Sequence, residues 1–145
     1  MSNRILVPID GSEPSFEAVE FALENHPESH ITVLHVISPS EGLVGSGDAA
    51  YISQETIDAA ISRGEKICED AQKRYEALDE TAGITFESAV RIGRPTSTII
   101  EYAEADGTDH IVIGSHGRSG VARILLGSVA ETVVRRATMP VTVVR

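Results

Sequence analysis

A glycine-rich segment near the carboxyl end of the chain holds residues whose types and spacing suit ligand binding. A short apolar run, 111–113, is followed by Gly114 and Gly117, and a pair, Gly127 and Ser128, follows after nine intervening residues. The run is typical of a buried strand, and the residues from 128 onward are typical of a helix. Glycine lets a ligand approach the backbone closely, and a helix N-terminus offers unpaired N–H groups at the positive end of the helix dipole. The segment therefore predicts a phosphate-binding loop between a strand and a helix.

The spacing Gly-x2-Gly-x9-Gly-Ser resembles the pattern of the nucleotide-binding branch of the universal stress protein family. The resemblance covers nearly the whole chain, from the opening run 5–10 to the closing run 140–144. It implies a single domain of residues 1–145 with a Rossmann-like fold of the adenine nucleotide alpha hydrolase type. It also implies ATP or AMP as the bound nucleotide.

The resemblance assigns roles to residues outside the loop as well. Asp10 matches the acidic residue after the first strand that lies close to the nucleotide, and Pro8 matches a proline on the adenine side. Val36 matches a residue of the second strand whose backbone meets the base. Together with Arg118, which its position in the basic loop indicates, the predicted nucleotide-binding set is Pro8, Asp10, Val36, Gly114, Ser115, His116, Gly117, Arg118, Gly127, Ser128 and Val129.

Several of these residues also have a purely structural interpretation, which the sequence leaves open. Asp10 could serve only to stabilise the turn before a helix, and Ser128 could serve only as a helix cap. The glycines could simply permit a tight path between strand and helix. The joint occurrence of the pattern favours a ligand over these single explanations.

The charge distribution supports an anionic ligand at the same segment. The chain has a formal net charge of −10, yet residues 114–145 hold five basic residues and one acidic residue. Arg118 and Arg123 lie within the loop and are candidates for phosphate contact, whereas Arg135 and Arg136 are expected on the surface of the last helix. The overall negative charge argues against nucleic acid and acidic membranes as partners.

Composition and length favour a cytoplasmic protein of 145 residues with a core of its own. We expect no secretory leader and no membrane-spanning segment, because no apolar run is long enough for either. The excess of acidic residues suits a protein of a halophilic source, and an ordinary acidic cytosolic protein is equally compatible with it.

No catalytic set and no metal site are predicted. The single cysteine, Cys68, falls on the apolar stripe of a helix, and His26, His30, His35 and His110 lack ligand spacing. The P-loop lysine is missing too, so the pattern does not indicate rapid phosphoryl transfer. A bound triphosphate would bring Mg²⁺ held mainly by phosphate oxygens and water.

Strands and helices alternate along the whole sequence, which predicts an α/β fold with one doubly wound, five-stranded parallel sheet. Apolar runs place strands at 4–9, 31–37, 84–92, 111–113 and 141–144, and helical patterns begin at Ser12, near 52, at Pro95 and at Ser128. The second of these helices is predicted to extend to residue 82. The resemblance implies the strand order 3-2-1-4-5, whose winding reverses between the first and fourth strands, where such sheets bind ligands.

The sequence is compatible with three functions. The first is a stress-response regulator that acts through its bound adenine nucleotide, the second a slow ATPase or nucleotide-dependent transferase, and the third a ligand-free dimeric adaptor. The last strand, 141–144, is short and β-branched, so at a sheet edge it would offer unpaired backbone to a partner. Family members dimerise through this strand, which implies a homodimer here; the sequence does not identify a downstream protein partner.

Overall fold

The structure, a computed structural model, describes residues 3–39, 53–78, 83–115 and 127–145. Within them, strands and helices alternate as the sequence predicts. The elements are β1 (Arg4–Pro8), α1 (Glu13–Asn25), β2 (His30–Ile37), α2 (Gln54–Glu76), β3 (Thr85–Ile92), α3 (Pro95–Ala105), β4 (His110–Gly114), α4 (Ser128–Arg136) and β5 (Val141–Val144).

The five strands form one parallel sheet in the order β3-β2-β1-β4-β5, which confirms the predicted fold class. The β1–β2 register runs from Arg4 opposite His30 to Pro8 opposite Leu34. On the other side of β1, Ile5 lies opposite His110 at the start of β4. The carboxyl ends of β1 and β4 are therefore neighbours at the point where the winding reverses.

The two faces of the sheet are covered by different helices, and each interface is an apolar core. The core that includes α1 and α2 is formed mainly by Ile5, Val7, Phe16, Val19, Ala22, Ile31, Val33, Cys68 and Ala71. The core that includes α3 and α4 is formed mainly by Leu6, Leu34, Ile99, Ala103, Ile111, Ile113, Ala130 and Val133. Burial raises the pKa of the Cys68 thiol, which suits the predicted role of this residue as a small core side chain.

Local signals in the sequence explain where the first helix begins and ends. The Ser12 side chain caps α1 by accepting from the Ser15 N–H, and Pro14 lies in the first turn, where its missing N–H costs nothing. The helix ends at Asn25, just before His26 and Pro27. This start and stop agree with the predicted ones.

The second helix is shorter than predicted. It ends at Glu76 with Ala77 as its C-cap rather than continuing to residue 82. Lys73 and Arg74 occupy its last turn, where positive charge is favourable, and the sequence then turns acidic with Asp79 and Glu80. Acidic side chains are unfavourable at the C-terminus of a helix, because that is the negative end of the helix dipole.

None of the helices in the described residues combines the length and the apolar character that a membrane span requires.

Candidate functional site

A crevice of about 340 Å³ opens at the carboxyl ends of the strands, between β1 and β4. This is the position at which open parallel sheets bind their ligands, and the volume falls within the range of small-molecule sites. Its lining residues are Pro8, Ile9, Asp10, Ser12, Ser15, Leu34, His35, Val36, Pro95, Ile99, Ile113, Gly114, Gly127, Ser128, Val129 and Ala130.

One polar wall of the crevice is the turn that leads from β1 into α1. The Asp10 carboxylate accepts hydrogen bonds at Oδ1 from the Ser12 N–H (2.9 Å) and from the Ser12 hydroxyl (2.5 Å). The Ser15 hydroxyl in turn donates to the Ser12 carbonyl oxygen at 2.8 Å. Asp10 therefore does stabilise its turn, as the structural interpretation predicts, while its side chain also borders the crevice.

A second polar wall is the start of α4. The first-turn N–H groups of a helix have no intrahelical partner, and the residues that carry them here, Ser128, Val129 and Ala130, all line the crevice. The N-cap is Gly127, and no side chain in the described residues caps this helix. The interpretation of Ser128 as a mere capping residue is therefore wrong, because Ser128 is the first helical residue.

The end of β2 contributes backbone polar groups. Backbone groups of successive strand residues point alternately to the two neighbouring strands. The Leu34 carbonyl faces β1, since it accepts from the Ile9 N–H at 2.8 Å, and the Ile37 carbonyl faces the β3 side, since it accepts from the Gly93 N–H at 3.0 Å. The N–H and C=O of Val36 therefore face the β1 side, beyond the last β1–β2 pair, where the crevice lies.

A further part of the crevice lining is apolar. It consists of Leu34, Ile113 and, from the start of α3, Pro95 and Ile99. Ile99 belongs to the core beneath α3 and α4, so this wall is continuous with packed protein. A flat apolar group can be buried here while its polar edge meets backbone atoms.

The structure brings seven of the predicted binding residues together around the crevice: Pro8, Asp10, Val36, Gly114, Gly127, Ser128 and Val129. Ser115 is not among the lining residues. It is 3 % exposed, donates its N–H to the Val144 carbonyl at 2.8 Å and accepts from the Gly127 N–H, so it joins the two ends of the loop segment. The predictions for His116, Gly117, Arg118 and Arg123 fall outside the described residues.

Sequence reasoning did not identify several lining residues. Ser12 and Ser15 carry a helix-start signal, and that signal alone gives no reason to place them in a ligand site. Pro95 and Ile99 reach the crevice because the β3–α3 crossover brings the start of α3 over the sheet. That Pro95 and Ile99 lie near the crevice can be inferred from the sequence only once the strand order is known.

Within the described residues, no group of three or more His, Cys, Asp or Glu side chains could hold a metal ion. The crevice contributes hydroxyl groups, one carboxylate and outward-facing backbone groups. This set of groups suits the binding of a small polar molecule that has one apolar part and one anionic part.

Comparisons with known proteins identify the family of this chain. The sequence matches the model of the family described as the universal stress protein family over residues 1–145. A universal stress protein of Methanocaldococcus jannaschii is 34% identical over 146 residues, which cover 98% of this chain and 81% of that protein.

Solved structures of the family share the fold. The universal stress protein UspA of Lactobacillus plantarum is 26% identical with a TM-score of 0.79, over 99% of this chain and 97% of that one. A universal stress protein solved in complex with cAMP is 25% identical with a TM-score of 0.67, over 99% and 97% of the two chains. Since sequence and fold agree, this chain belongs to the universal stress protein family.

Proposed function

We propose that this protein binds an adenine nucleotide in the crevice between β1 and β4 and acts in the stress response as a nucleotide-dependent regulator. The observation that carries the proposal is the presence, in one crevice, of the first turn of α4 and the outward-facing backbone of Val36. The first suits a phosphate and the second suits the edge of a base.

The base is assigned to the apolar end of the crevice. Pro8, Leu34, Pro95 and Ile99 would enclose its faces. The Val36 N–H is a donor and the Val36 C=O an acceptor, and both point into the same space. Adenine offers the complementary pair on one edge, an acceptor at N1 and a donor at N6, whereas guanine offers a donor at N1 and an acceptor at O6. With the base oriented so that its position-6 group meets the Val36 C=O, the backbone of Val36 pairs with adenine but sets guanine O6 against a carbonyl oxygen.

The phosphate is assigned to the start of α4. The N–H groups of Ser128, Val129 and Ala130 lie at the positive end of the helix dipole, which stabilises a bound anion. The Ser128 hydroxyl adds a further donor. Glu131, the acidic residue nearest this end, pairs with Arg135 on the exposed side of the helix, which lessens its repulsion of an anion.

Asp10 is assigned to the sugar. An ionised carboxylate only accepts hydrogen bonds, so it repels a phosphate and suits the hydroxyl groups of a ribose. Its Oδ1 atom is held by Ser12, which fixes the direction of the carboxylate. The base, the sugar and the phosphate are thereby each assigned to a different group of lining residues.

The universal stress protein solved with cAMP supports an adenine nucleotide as the ligand class, since it shares this fold and 25% of its residues. ATP and AMP are both candidates. With a triphosphate, Mg²⁺ would be bound mainly by phosphate oxygens and water. No nucleic acid or membrane partner is proposed, because the net charge of −10 opposes both.

The test is calorimetric titration of desalted protein with AMP, ATP and cAMP, with GMP as the control for the base. We expect saturable binding of at least one adenine nucleotide and much weaker binding of GMP. A phosphate-release assay with ATP and Mg²⁺ separates a regulator from a slow ATPase. Absence of binding by every adenine nucleotide would contradict the proposal and favour the ligand-free adaptor.

We further propose a cytoplasmic homodimer that forms through β5. This strand is a sheet edge, and its four valine and threonine residues are all partly exposed. An unpaired edge of β-branched residues is suited to pairing with a second copy across a twofold axis. The edge strand lies next to β4, whose carboxyl end lines the crevice. A dimer formed through β5 would therefore have one crevice on each side of the interface.

A further inference from the structure

The β1–β2 ladder extends one residue beyond the end of β1 and stops at Ile9. Its last bond runs from the Ile9 N–H to the Leu34 carbonyl at 2.8 Å. In a parallel ladder the next bond would run from the Val36 N–H back to the Ile9 carbonyl. Among the described residues, that bond is not formed.

A side chain takes the place of this backbone bond. His35 Nδ1 lies 2.9 Å from the Ile9 carbonyl oxygen. A carbonyl oxygen can only accept, so Nδ1 carries the hydrogen and donates it. The Ile9 carbonyl therefore accepts from the imidazole N–H and not from the Val36 N–H, which faces the crevice side of β2.

The imidazole ring is held firmly in this position. His35 is 7 % exposed and lies beneath α2, opposite Gly64. A Cβ on Gly64 would lie only 2.8 Å from His35 Cδ2, so the glycine leaves just enough room for the ring. Val90 lies on the same side of Gly64 and closes the space further. The ring therefore has little freedom to swing away from Ile9.

We propose that His35 is a positioning residue for the base, since its Nδ1–H satisfies the Ile9 carbonyl and so keeps the Val36 N–H available to an acceptor on a purine ring. This inference rests on the proposed function, because it concerns the same crevice and the same ligand class. It assigns a role to a histidine that does not have to touch the nucleotide.

The first test needs no nucleotide. Amide hydrogen exchange of the ligand-free protein, resolved by NMR, compares the Val36 and Leu34 N–H groups. In the wild type we expect Val36 to exchange faster than Leu34. In His35→Phe, which lacks the donor, Val36 can bond to Ile9, and its exchange should slow by roughly 2- to 12-fold. His35→Asn places an amide N–H near the position of Nδ1 and should retain wild-type exchange.

The second test measures discrimination at the base. AMP is compared with its 1-deaza analogue, in which the ring nitrogen N1 is replaced by C–H and cannot accept a hydrogen bond. The wild type should bind AMP roughly 2- to 12-fold more tightly than the analogue. This ratio should fall to about 1 in His35→Phe and be restored in His35→Asn, whereas a merely structural residue would change both affinities equally.

A control on the same strand separates this role from general damage to β2. His30, at the start of β2, bonds to Glu87 at 2.8 Å far from the crevice. His30→Phe should leave the AMP ratio and the Val36 exchange unchanged. If His35→Phe does not fold, His35→Leu is a second variant without a donor. The comparison of Val36 and Leu34 exchange in the wild type also tests the inference without any variant.

The outcomes distinguish the two proposals. If the wild type binds no adenine nucleotide, the proposed function fails, while the exchange experiment still tests the role of His35. If AMP binds but the ratio persists in His35→Phe, or if Val36 is already as protected as Leu34 in the wild type, the inference about His35 is wrong.

Discussion

Gly114, the last residue of β4, lies in direct backbone contact with Pro14 in the first turn of α1. A Cβ placed on Gly114 would lie 2.7 Å from the Pro14 carbonyl oxygen and 2.8 Å from its carbonyl carbon. This contact brings the turn after β1 beside the end of β4, where Gly114 lines the crevice. A glycine is needed at this position for packing, independently of any ligand.

Replacing Gly114 with alanine should destabilise the protein by about 1–3 kcal/mol, because the added methyl group meets backbone atoms that cannot rotate away. Urea unfolding followed by circular dichroism measures the change. Gly93→Ala is the matched control, since the added Cβ there would meet mainly the Thr98 hydroxyl, which can change rotamer. A smaller loss at Gly114 than at Gly93 would contradict the packing argument.

Replacing Gly127 with aspartate should have opposite effects on stability and on nucleotide binding. Gly127 is the N-cap of α4, with φ −63° and ψ 153°, so aspartate can cap the helix and stabilise it by a few tenths of a kcal/mol. Its negative charge would repel the phosphate at the same site. We expect the affinity for AMP, measured by calorimetry, to fall at least about fivefold.

Gly127→Asn is the control for this change. Asparagine caps a helix about as well as aspartate does but carries no charge. It should therefore give a similar gain in the free energy of unfolding with a smaller loss of AMP affinity. Equal losses in the two variants would show that side-chain volume, rather than charge, limits binding at the start of α4.

The strand and helix pattern was predictable because it depends on local signals. Ser12, Pro14 and Pro95 mark helix starts, and runs of β-branched residues mark buried strands. Strand order was not available from these signals and came from the resemblance. The end of α2 at Glu76 was missed because the helical periodicity continues past the last helical residue.

The candidate site was predictable where it follows a strand end and not where it depends on packing between distant elements. Asp10, Val36 and Gly114 lie at or just past strand ends, so a parallel sheet brings them to one edge. Gly64 is a glycine because the His35 ring lies directly beneath it, and this contact depends on how α2 crosses β2. Such tertiary contacts have no signature in local sequence.

A proline substitution in β5 should separate dimerisation from folding. The carbonyls of Pro140 and Val144 accept bonds from β4, so the backbone of Thr142 faces β4 as well and that of Val143 faces the free edge. Val143→Pro removes an outward N–H, which an edge strand tolerates. We expect sedimentation to show a dimer for the wild type and a folded monomer for Val143→Pro, with some loss of stability because the Val143 side chain packs against the core beneath α3 and α4.

Thr142→Pro is the contrasting variant. It removes an N–H that faces β4, so it should lower the free energy of unfolding more than Val143→Pro does. A wild-type protein that sediments only as a monomer at micromolar concentration would contradict the proposed dimer. A Val143→Pro dimer as tight as the wild type would instead exclude β5 as the interface.

His110 should make the protein less stable in mild acid. Desolvation by burial, and then the positive charge of nearby His26, hold the pKa of His110 below its ordinary value of 6.5. The two rings lie 5.5 Å apart, and His110 Nε2 lies 2.6 Å from the Thr142 hydroxyl oxygen. Because folding lowers this pKa, the unfolded chain binds more protons between the folded pKa and 6.5, and stability must fall as pH decreases through that window.

The measurement is the free energy of unfolding by urea from about pH 7 to about pH 5, for wild type and His110→Gln. Glutamine stays neutral and can place its amide near the position of Nε2, so the contact with Thr142 is retained. The wild type should lose stability more steeply than this variant across the window. His26→Gln, which removes only the secondary cause, should give an intermediate slope. Wild type and His110→Gln differ only at residue 110, so parallel curves for these two proteins would mean that folding does not shift the pKa of His110.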